Sequence, residues 1–344
     1  MHAKKRPTHR DVAELAGVSP AVVSYVINGG PRGTSAEARQ RVLDAIEALS
    51  YHPSAAARGL RMQQTHTIGF ISYDPHPLDA FFAPYNAGVL TGLTLALLAQ
   101  RRYILPFPVG MDEDLRGLDE LLYGGRLDGV VVRLSQVPPF TDPILERVAK
   151  AGIPCVCIER AGSDRFGFSS VTYDDEAGGY DATAYLLTRG YRRIAHIMGD
   201  PRMVSAKDRE AGYKRALVEA GVPVDEDLIQ GDSWRPADGA TATRKLLAME
   251  HAPGAIFAAN DQLALSVIEV AREIGMHVPD DIAVVGFDDV PLAQELIPPL
   301  TTVRIPFAEL GRRAADLVLQ NVQGELRECR AETVPLKLIR RDSA

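Results

Sequence analysis

The stretch Asp11-Val-Ala-Glu-Leu-Ala-Gly-Val-Ser-Pro-Ala-Val-Val-Ser-Tyr-Val-Ile-Asn28 reads as two short helices joined around a single glycine. Thr8 stands where it can cap the first helix, whose apolar positions Val12, Leu15 and Ala16 recur at i, i+3 and i+4. Gly17 ends it. Ser19 is an N-cap with Pro20 at the first helical position, where a missing amide proton costs nothing. Val22, Val23, Val26 and Ile27 extend this second helix to the breaker Asn28-Gly-Gly-Pro31. A third helix is expected from about Ser35 to Leu49, with Val42, Ile46 and Leu49 stacked on one side. Thr34 and Glu37 also have capping-box spacing, so either Thr34 or Ser35 can start it. Two such helices braced by a third make a helix-turn-helix. The second opens on small residues, Ser19, Ala21 and Ser24, which let its N-terminal end approach a duplex and aim its amides at phosphate.

Charge distribution agrees with that reading. The 344 residues carry a net charge of -7, which taken alone argues against nucleic acid. Residues 1 to 64, however, hold nine Lys and Arg against five Asp and Glu, so the surplus of +4 lies at one end and the other 280 residues carry -11. A modular protein needs only a locally basic end to meet DNA. Beyond the third helix, Ser54-Ala-Ala-Ala-Arg-Gly-Leu-Arg61 reads as an alanine-rich turn or two of helix, too short to be stable alone and ordered mainly by DNA or a partner.

These residues carry a specific resemblance. Asp11 to Ser19, Val23-Ser24, Val26-Ile-Asn28, the Ser35 to Val42 segment and Pro53 to Leu60 together resemble the DNA-binding end of the lactose and galactose repressor family. The resemblance implies a homodimer on a near-palindromic double-stranded operator, with the second helix in the major groove and a hinge helix in the minor groove. Leu60 would then be the apolar wedge between central base pairs, and Ala57 the small residue beside it. By the same likeness, Pro20, Ala21 and Tyr25 meet base edges, while Thr8, Ser19, Ser24 and Asn28 meet phosphates. Tyr25 departs from the family pattern, which has arginine there, the bidentate reader of guanine. The outer operator bases are therefore left open, as is the alternative that Tyr25 packs on the third helix.

From Thr67 onward apolar strands alternate with amphipathic helices, the signature of mostly parallel sheets covered on both faces. Strands are expected at Ile68–Ile71, Tyr103–Phe107, Gly129–Arg133, Cys155–Glu159, Arg193–Met198, Gly254–Ala258 and Ile282–Val285. Helices fall between them near 87–99, 115–123, 142–150, 176–188 and 209–219. Ligands of such folds bind outside the carboxyl ends of strands. Three places draw notice: Tyr73 and Asp74, followed by Phe81 and Phe82; Asn260 and Asp261; and Asp288 and Asp289. Each strand-end carboxylate or amide could equally be a helix cap.

Ala258-Ala-Asn-Asp261, Val278-Pro-Asp-Asp281, Val284-Val-Gly-Phe-Asp-Asp289 and Pro299-Leu-Thr-Thr-Val303 are similar to the family's effector domain, itself like sugar-binding periplasmic proteins. The likeness implies polar ligand contacts from Asp288, Asn260 and Arg209, with aromatic shelves from Phe82 and Trp234. Carboxylate, amide and guanidinium can bracket adjacent hydroxyls while a flat ring covers an apolar face. Arg209 could also hold a carboxylate or a purine carbonyl.

The expected architecture is thus α/β with an N-terminal three-helix head at residues 1–53, a hinge helix and linker at 54–66, and a two-lobed, periplasmic-binding-protein-like body. Its first lobe takes 67–168 with 301–328 and its second 169–300 with 329–340. The chain crosses between lobes near 166–170, 298–304 and 328.

Other classes find little support. No Gly-x-Gly-x-x-Gly follows an early strand, and there is neither a phosphate-binding loop nor a Gly-x-Ser-x-Gly elbow, so an enzyme is not expected. Cys155, Cys157 and Cys329 lack partners at metal-ligand spacing, and no metal or cofactor is expected. A transported-solute receptor would have no use for residues 8 to 61. With neither an export-signal pattern nor a membrane-length apolar run, a cytoplasmic location follows as an expectation. The effector is expected to be a sugar acting as inducer, the alternative being a purine-like corepressor.

Overall fold

In the computed structural model the described residues are 7–27, 34–52, 64–74, 84–110, 115–134, 138–159, 163–326 and 328–344. Two compact units divide the chain, Met1–Thr65 and His66–Ala344.

The first unit holds α1 (His9–Ala16), α2 (Pro20–Ile27) and α3 (Ala36–Ala48). Local chemistry sets their ends. Asp11 N–H donates to Thr8 Oγ1 while Thr8 N–H donates back to Asp11 Oδ2 at 2.6 Å, a reciprocal capping box. Gly17 closes α1 at φ 62°, a conformation that carries no Cβ penalty only in glycine. Val22 N–H donates to Ser19 Oγ at the start of α2. At α3, Ser35 is the cap, accepting from Ala38 N–H at 3.2 Å, which resolves the choice between Thr34 and Ser35. Val12, Ala13, Ala16, Val23, Val26, Val42, Ala45 and Tyr51 form the core. Leu15 does not join it as its spacing implied: it is 57% exposed, because α1 turns its Val12, Ala13 and Ala16 side to the other helices.

The second unit contains two six-stranded sheets. The first joins β1 (Thr67–Asp74), β2 (Tyr103–Gly110), β3 (Gly129–Leu134), β4 (Cys155–Ile158), β5 (Ser169–Thr172) and β11 (Ala331–Thr333) in the order β11-β5-β4-β3-β1-β2, all parallel. The second joins β6 (Ile194–Ile197), β7 (Ile229–Gln230), β8 (Ala255–Ala258), β9 (Ala283–Asp288), β10 (Thr301–Arg304) and β12 (Lys337–Ile339) in the order β12-β10-β9-β8-β6-β7, parallel except for β12.

Helices cover both faces of each sheet, as buried parallel strands require. In the first lobe, α4 (Pro84–Ala99) and α12 (Phe307–Val322) meet Ile68, Phe70 and Val131. On its other face α5 (Arg116–Tyr123) and α6 (Pro138–Ala151) meet Ile71, Val130 and Val132. In the second lobe α7 (Asp175–Thr188) and α8 (Val204–Glu219) pack on Phe257, Val285 and Phe287. The opposite face takes α9 (Pro236–Leu247) and α10 (Asp261–Glu273). A short helix, α11 (Leu292–Glu295), follows β9.

Strand pairing moves all three expected lobe crossings later along the chain. Strand β5 still belongs to the first sheet, so the chain leaves that lobe after Thr172 and not at 166–170. Strand β10 still belongs to the second, placing the return at Ile305-Pro306. The last crossing follows β11, beyond Thr333 and not near 328. Residues 169–172, 301–304 and 331–333 therefore belong to the opposite lobe from the one their position implied. Each is an edge or near-edge strand of only three or four residues, whose membership is decided by pairing and not by its own pattern.

Candidate functional site

Two regions carry the candidate residues. On the first unit, Pro20, Ala21 and Tyr25 lie exposed along α2, and Tyr25 is 46% exposed, so it does not pack away against α3. Thr8 and Ser19 start α1 and α2 and are exposed, while Ser24 is half-buried. Asn28, Ala57 and Leu60 lie outside the described residues, as do Phe81 and Phe82. Tyr73 and Asp74 end β1, at the carboxyl edge of the first sheet.

On the second unit a cleft of about 100 Å³ lies between the carboxyl end of the first sheet and the starts of α7 and α8, lined by Glu159, Thr172, Tyr173, Asp175, Val204, Ser205 and Asp208. Two glycines set the geometry of its second-lobe wall. A Cβ on Gly179 would lie 2.3 Å from the Arg209 carbonyl oxygen, and one on Gly212 would lie 2.0 Å from that of Glu176. Helices α7 and α8 consequently touch backbone to backbone. This contact places Asp175, the first residue of α7, against Arg209 on α8.

Arg209 is the hub. Its Nε donates to Asp175 Oδ1 at 2.7 Å, and its Nη1 to the Ala259 carbonyl at 2.5 Å and, more weakly, to Asp288 Oδ1 at 3.5 Å. Its guanidinium lies 3.7 Å above the Phe287 ring and 5.7 Å from the Trp234 ring, within cation–π range. Trp234 packs against Gly199, where a Cβ would come within 2.3 Å of the indole, and its Nε1 is buried without a hydrogen-bond partner. Arg209, Trp234 and Asp288, expected together from the family likeness, are brought together.

The other strand-end candidates turn to structural work. Asn260 is the N-cap of α10, accepting from Leu263 N–H through Oδ1 at 2.8 Å. Asp261 is buried and accepts from Thr302 Oγ1 at 2.6 Å and from Val290 N–H at 2.9 Å. Asp289, whose side chain is 1% exposed, is held between Arg304 at 2.5 Å and Arg341 at 2.6 Å. For Asp261 and Asp289 the capping or clamping alternative prevails. Asp288 escapes it. At φ 105° its backbone takes a conformation that non-glycine residues rarely adopt, and such outliers concentrate at functional sites.

Sequence reasoning named Tyr73, Asp74, Phe81 and Phe82 from the first lobe but missed Arg133, Glu159 and Tyr173 there. Arg133, at the end of β3, is buried and pairs with Glu159 at 2.8 Å, and Tyr173 O–H donates to Glu159 Oε1 at 3.2 Å. An arginine closing the otherwise apolar strand Gly129-Val-Val-Val-Arg133, and a glutamate directly after Cys155–Ile158, were the available signals. Both obey the strand-end rule applied to Asp288.

Electrostatics bind the two walls together. Burial pushes Asp288 up to about 7; Arg209 opposes this, and repulsion from Asp175 and Glu159 adds to it. Burial likewise raises Asp175 to about 6 against the pull of Arg209. Burial works against the charge on Arg209, but Asp175 and Asp288 more than offset it and the guanidinium stays charged. Asp175 carries this cluster to the cleft surface, and behind it stand a fixed cation, a second carboxyl raised toward neutrality, a buried indole N–H without a partner and aromatic rings. That set suits reversible hydrogen bonding to a polar ligand with an apolar face. Among the described residues no group of His, Cys, Asp and Glu is arranged to hold a metal ion, and no helix is long and apolar enough to cross a membrane.

Comparison with known proteins accounts for both regions. Residues 8–54 match the family described as bacterial regulatory proteins, lacI family, and residues 183–344 match the periplasmic binding protein-like domain. The transcriptional regulator CelR of Thermobifida fusca is 35% identical over 95% of each chain. The transcriptional repressor PurR of Erwinia tasmaniensis is 36% identical over 98% of this chain and 96% of its own. Among solved structures, a CelR–cellobiose complex aligns with TM-score 0.74 and 33% identity over 98% of this chain and 100% of that one. The Lac repressor dimer bound to operator and an anti-inducer aligns with TM-score 0.85 and 25% identity over 98% and 99%.

Proposed function

The chain belongs to the LacI family of DNA-binding transcriptional regulators with a ligand-responsive effector domain, and on that premise we propose that it is a repressor whose operator affinity is lowered by a small, neutral, hydroxyl-rich effector, a sugar, bound in the cleft. The observation that carries this is the Asp175–Arg209–Asp288 cluster beside Trp234. One arginine already engaged by carboxylates leaves little positive charge for an anionic ligand, whereas Asp288 can accept from hydroxyls and the indole can cover a sugar's apolar face. Asn260 adds a contact only through its amide nitrogen, since its oxygen caps α10.

At the other end Pro20, Ala21 and Tyr25 meet base edges, and Thr8, Ser19, Ser24 and Asn28 meet phosphates. Leu60, with Ala57 beside it, wedges the minor groove. A homodimer on a near-palindromic site follows from pairing two such heads. Leu95, Leu98 and Tyr103, 64%, 50% and 64% exposed on α4 and β2 of the first lobe, supply an apolar face for the partner subunit. A purine-like corepressor is the second reading, supported by the several relatives named PurR at 32–36% identity.

One experiment separates the readings. Melting temperature is measured across cellobiose, monosaccharides, polyols and nucleobases, with and without DNA selected from a random pool at about 0.15 M salt. A sugar that stabilises the free protein more than the DNA complex supports the inducer. A nucleobase that stabilises the complex more supports the corepressor. Selected DNA bound no better than bulk DNA would remove the operator-specific role.

A further inference from the structure

The chain from the DNA-binding head enters the second unit at the amino end of β1, and three segments of that unit are pinned together there. Asp128 Oδ2 accepts from His66 N–H at 2.9 Å and from Arg102 Nη1 at 2.7 Å. Backbone bonds complete the tie: Tyr103 N–H donates to the His66 carbonyl and Asp128 N–H to that of Thr67, each at 2.8 Å. The Arg102 and Asp128 side chains are 8% and 6% exposed, so salt screens this ion pair little.

Two of the pinned segments also carry an arginine at the surface. Arg101, next to Arg102, is exposed, and so is Arg126, two residues before Asp128. Neither is paired with a carboxylate among the described residues. In the first sheet β1 lies between β3 and β2, and Arg126 and Arg101 stand on the segments that lead into those two strands. The two arginines therefore flank the point where the linker arrives, about two strand spacings, or 10 Å, apart.

On an ordinary surface two exposed arginines need no explanation. Here the 280 residues from Thr65 onward carry -11, a charge that repels a duplex. With Leu60 in the minor groove, as proposed above, β1 begins seven residues later, at most about 25 Å of extended chain. An acidic body held that close to DNA meets it most favourably through an edge of positive sign. Asp128, the carboxylate at this edge, is already neutralised by Arg102.

We propose that Arg101 and Arg126 form a second DNA contact, on the body, which grips backbone phosphates beside the site read by the head. Guanidinium groups suit phosphate because their paired donors match its oxygens. Such contacts fix position and orientation without reading sequence. The body's orientation, and not only that of the head, then contributes to operator affinity.

The full chain tests this by fluorescence anisotropy on a selected operator within a duplex of about 40 base pairs, from about 0.05 to 0.3 M KCl. Arg101→Gln and Arg126→Gln each remove a phosphate contact from both subunits of a dimer. The slope of log Kd against log salt should fall by about 1.8 in each, and Kd at about 0.15 M salt should rise about fivefold. Bulk DNA of the same length should lose affinity by the same factor, since phosphates carry no base identity. Arg101→Lys and Arg126→Lys keep the charge and should keep most of the slope, and melting temperature and assembly should not move. Slopes unchanged in both glutamine variants, while Tyr25→Ala loses operator preference, overturn the body contact and leave the head reading standing. A glutamine variant that dissociates the dimer in sedimentation velocity also overturns it, assigning these arginines to the partner subunit. No binding of the unaltered chain to any duplex removes the DNA-binding head and the body contact together.

Discussion

In the head, polar side chains close on their own neighbours: Thr8 with Asp11, Ser19 with Val22 and Ser35 with Ala38, each three residues apart. In the cleft, partners are drawn from far along the chain: Arg209 bonds Asp175 across 34 residues, Ala259 across 50 and Asp288 across 79. Local caps are formed by the helix they start, and they leave the outer surface of α2 free for another molecule. Long-range pairs depend on the packing of both lobes, so anything that alters one of them is felt throughout the cleft. A regulator needs both arrangements, a reading surface that holds its shape and a sensing site that responds as a unit.

The largest effect should follow from removing the hub. Arg209→Met leaves Asp175 and Asp288 buried without their cation, and urea denaturation followed by Trp234 fluorescence should show a loss of about 3–5 kcal/mol together with loss of the ligand response. A variant that unfolds normally and still responds would show that the cleft is not organised around this residue.

Backbone packing ranks next. Gly212→Ala forces a Cβ to within 2.0 Å of the Glu176 carbonyl and should cost about 1–3 kcal/mol by overpacking α7 against α8, with weakened ligand binding as its companion. The matching change in the head, Gly17→Ala, meets no atom within 4 Å and strains only a φ of 62°, so about 1 kcal/mol is expected and no change in ligand binding. Equal effects on ligand binding would erase the distinction between the two regions.

Proton linkage divides them further. Burial raises Asp288 to about 7 and Asp175 to about 6 from an ordinary value of 3.8, so the folded body retains protons that the unfolded chain has released. The contribution of these two carboxyls to body stability should therefore be fully present below about pH 4, decline as pH rises toward 7, and then level off. Ligand affinity should run the other way. If only the ionised Asp288 accepts from the effector, Kd at pH 6 should be about tenfold higher than at pH 8, and titration calorimetry at both values reads this directly. An affinity flat across that range would separate Asp288 from the ligand.

The smallest effect belongs to the head. Thr8→Ala removes one cap and should cost about 1 kcal/mol in a melt of the first unit, with no change in ligand Kd. Tyr25→Ala should leave that melt unchanged, since the ring is 46% exposed, and weaken operator binding more than binding to bulk DNA.

How far each region could be read in advance follows from the same difference in range. Spacing and residue type placed Thr8 and Gly17 at the ends of α1, Ser19 and Pro20 at the start of α2, and the alternation of strands and helices in the body. In each case the deciding interaction spans a few residues. Family likeness added Arg209, Trp234 and Asp288 as neighbours, although they are far apart in sequence. Leu15 and the lobe crossings went astray because one helix face, or a strand of three or four residues, is assigned by what it meets and not by its own pattern.

The sequence by itself determined that a basic helix-turn-helix precedes a two-lobed parallel α/β body, because caps, breakers and hydrophobic periodicity are local. Only the tertiary structure decided which strand-end carboxylates are committed to other partners. Asp261 found Thr302, and Asp289 found two arginines, leaving Asp288 beside Arg209. It also decided that Glu159 and Tyr173 line the cleft from the first lobe, with Arg133 paired to Glu159 behind them. A charge in a folded protein takes the partner that packing brings within reach, and that choice becomes definite only when strands distant in sequence end side by side.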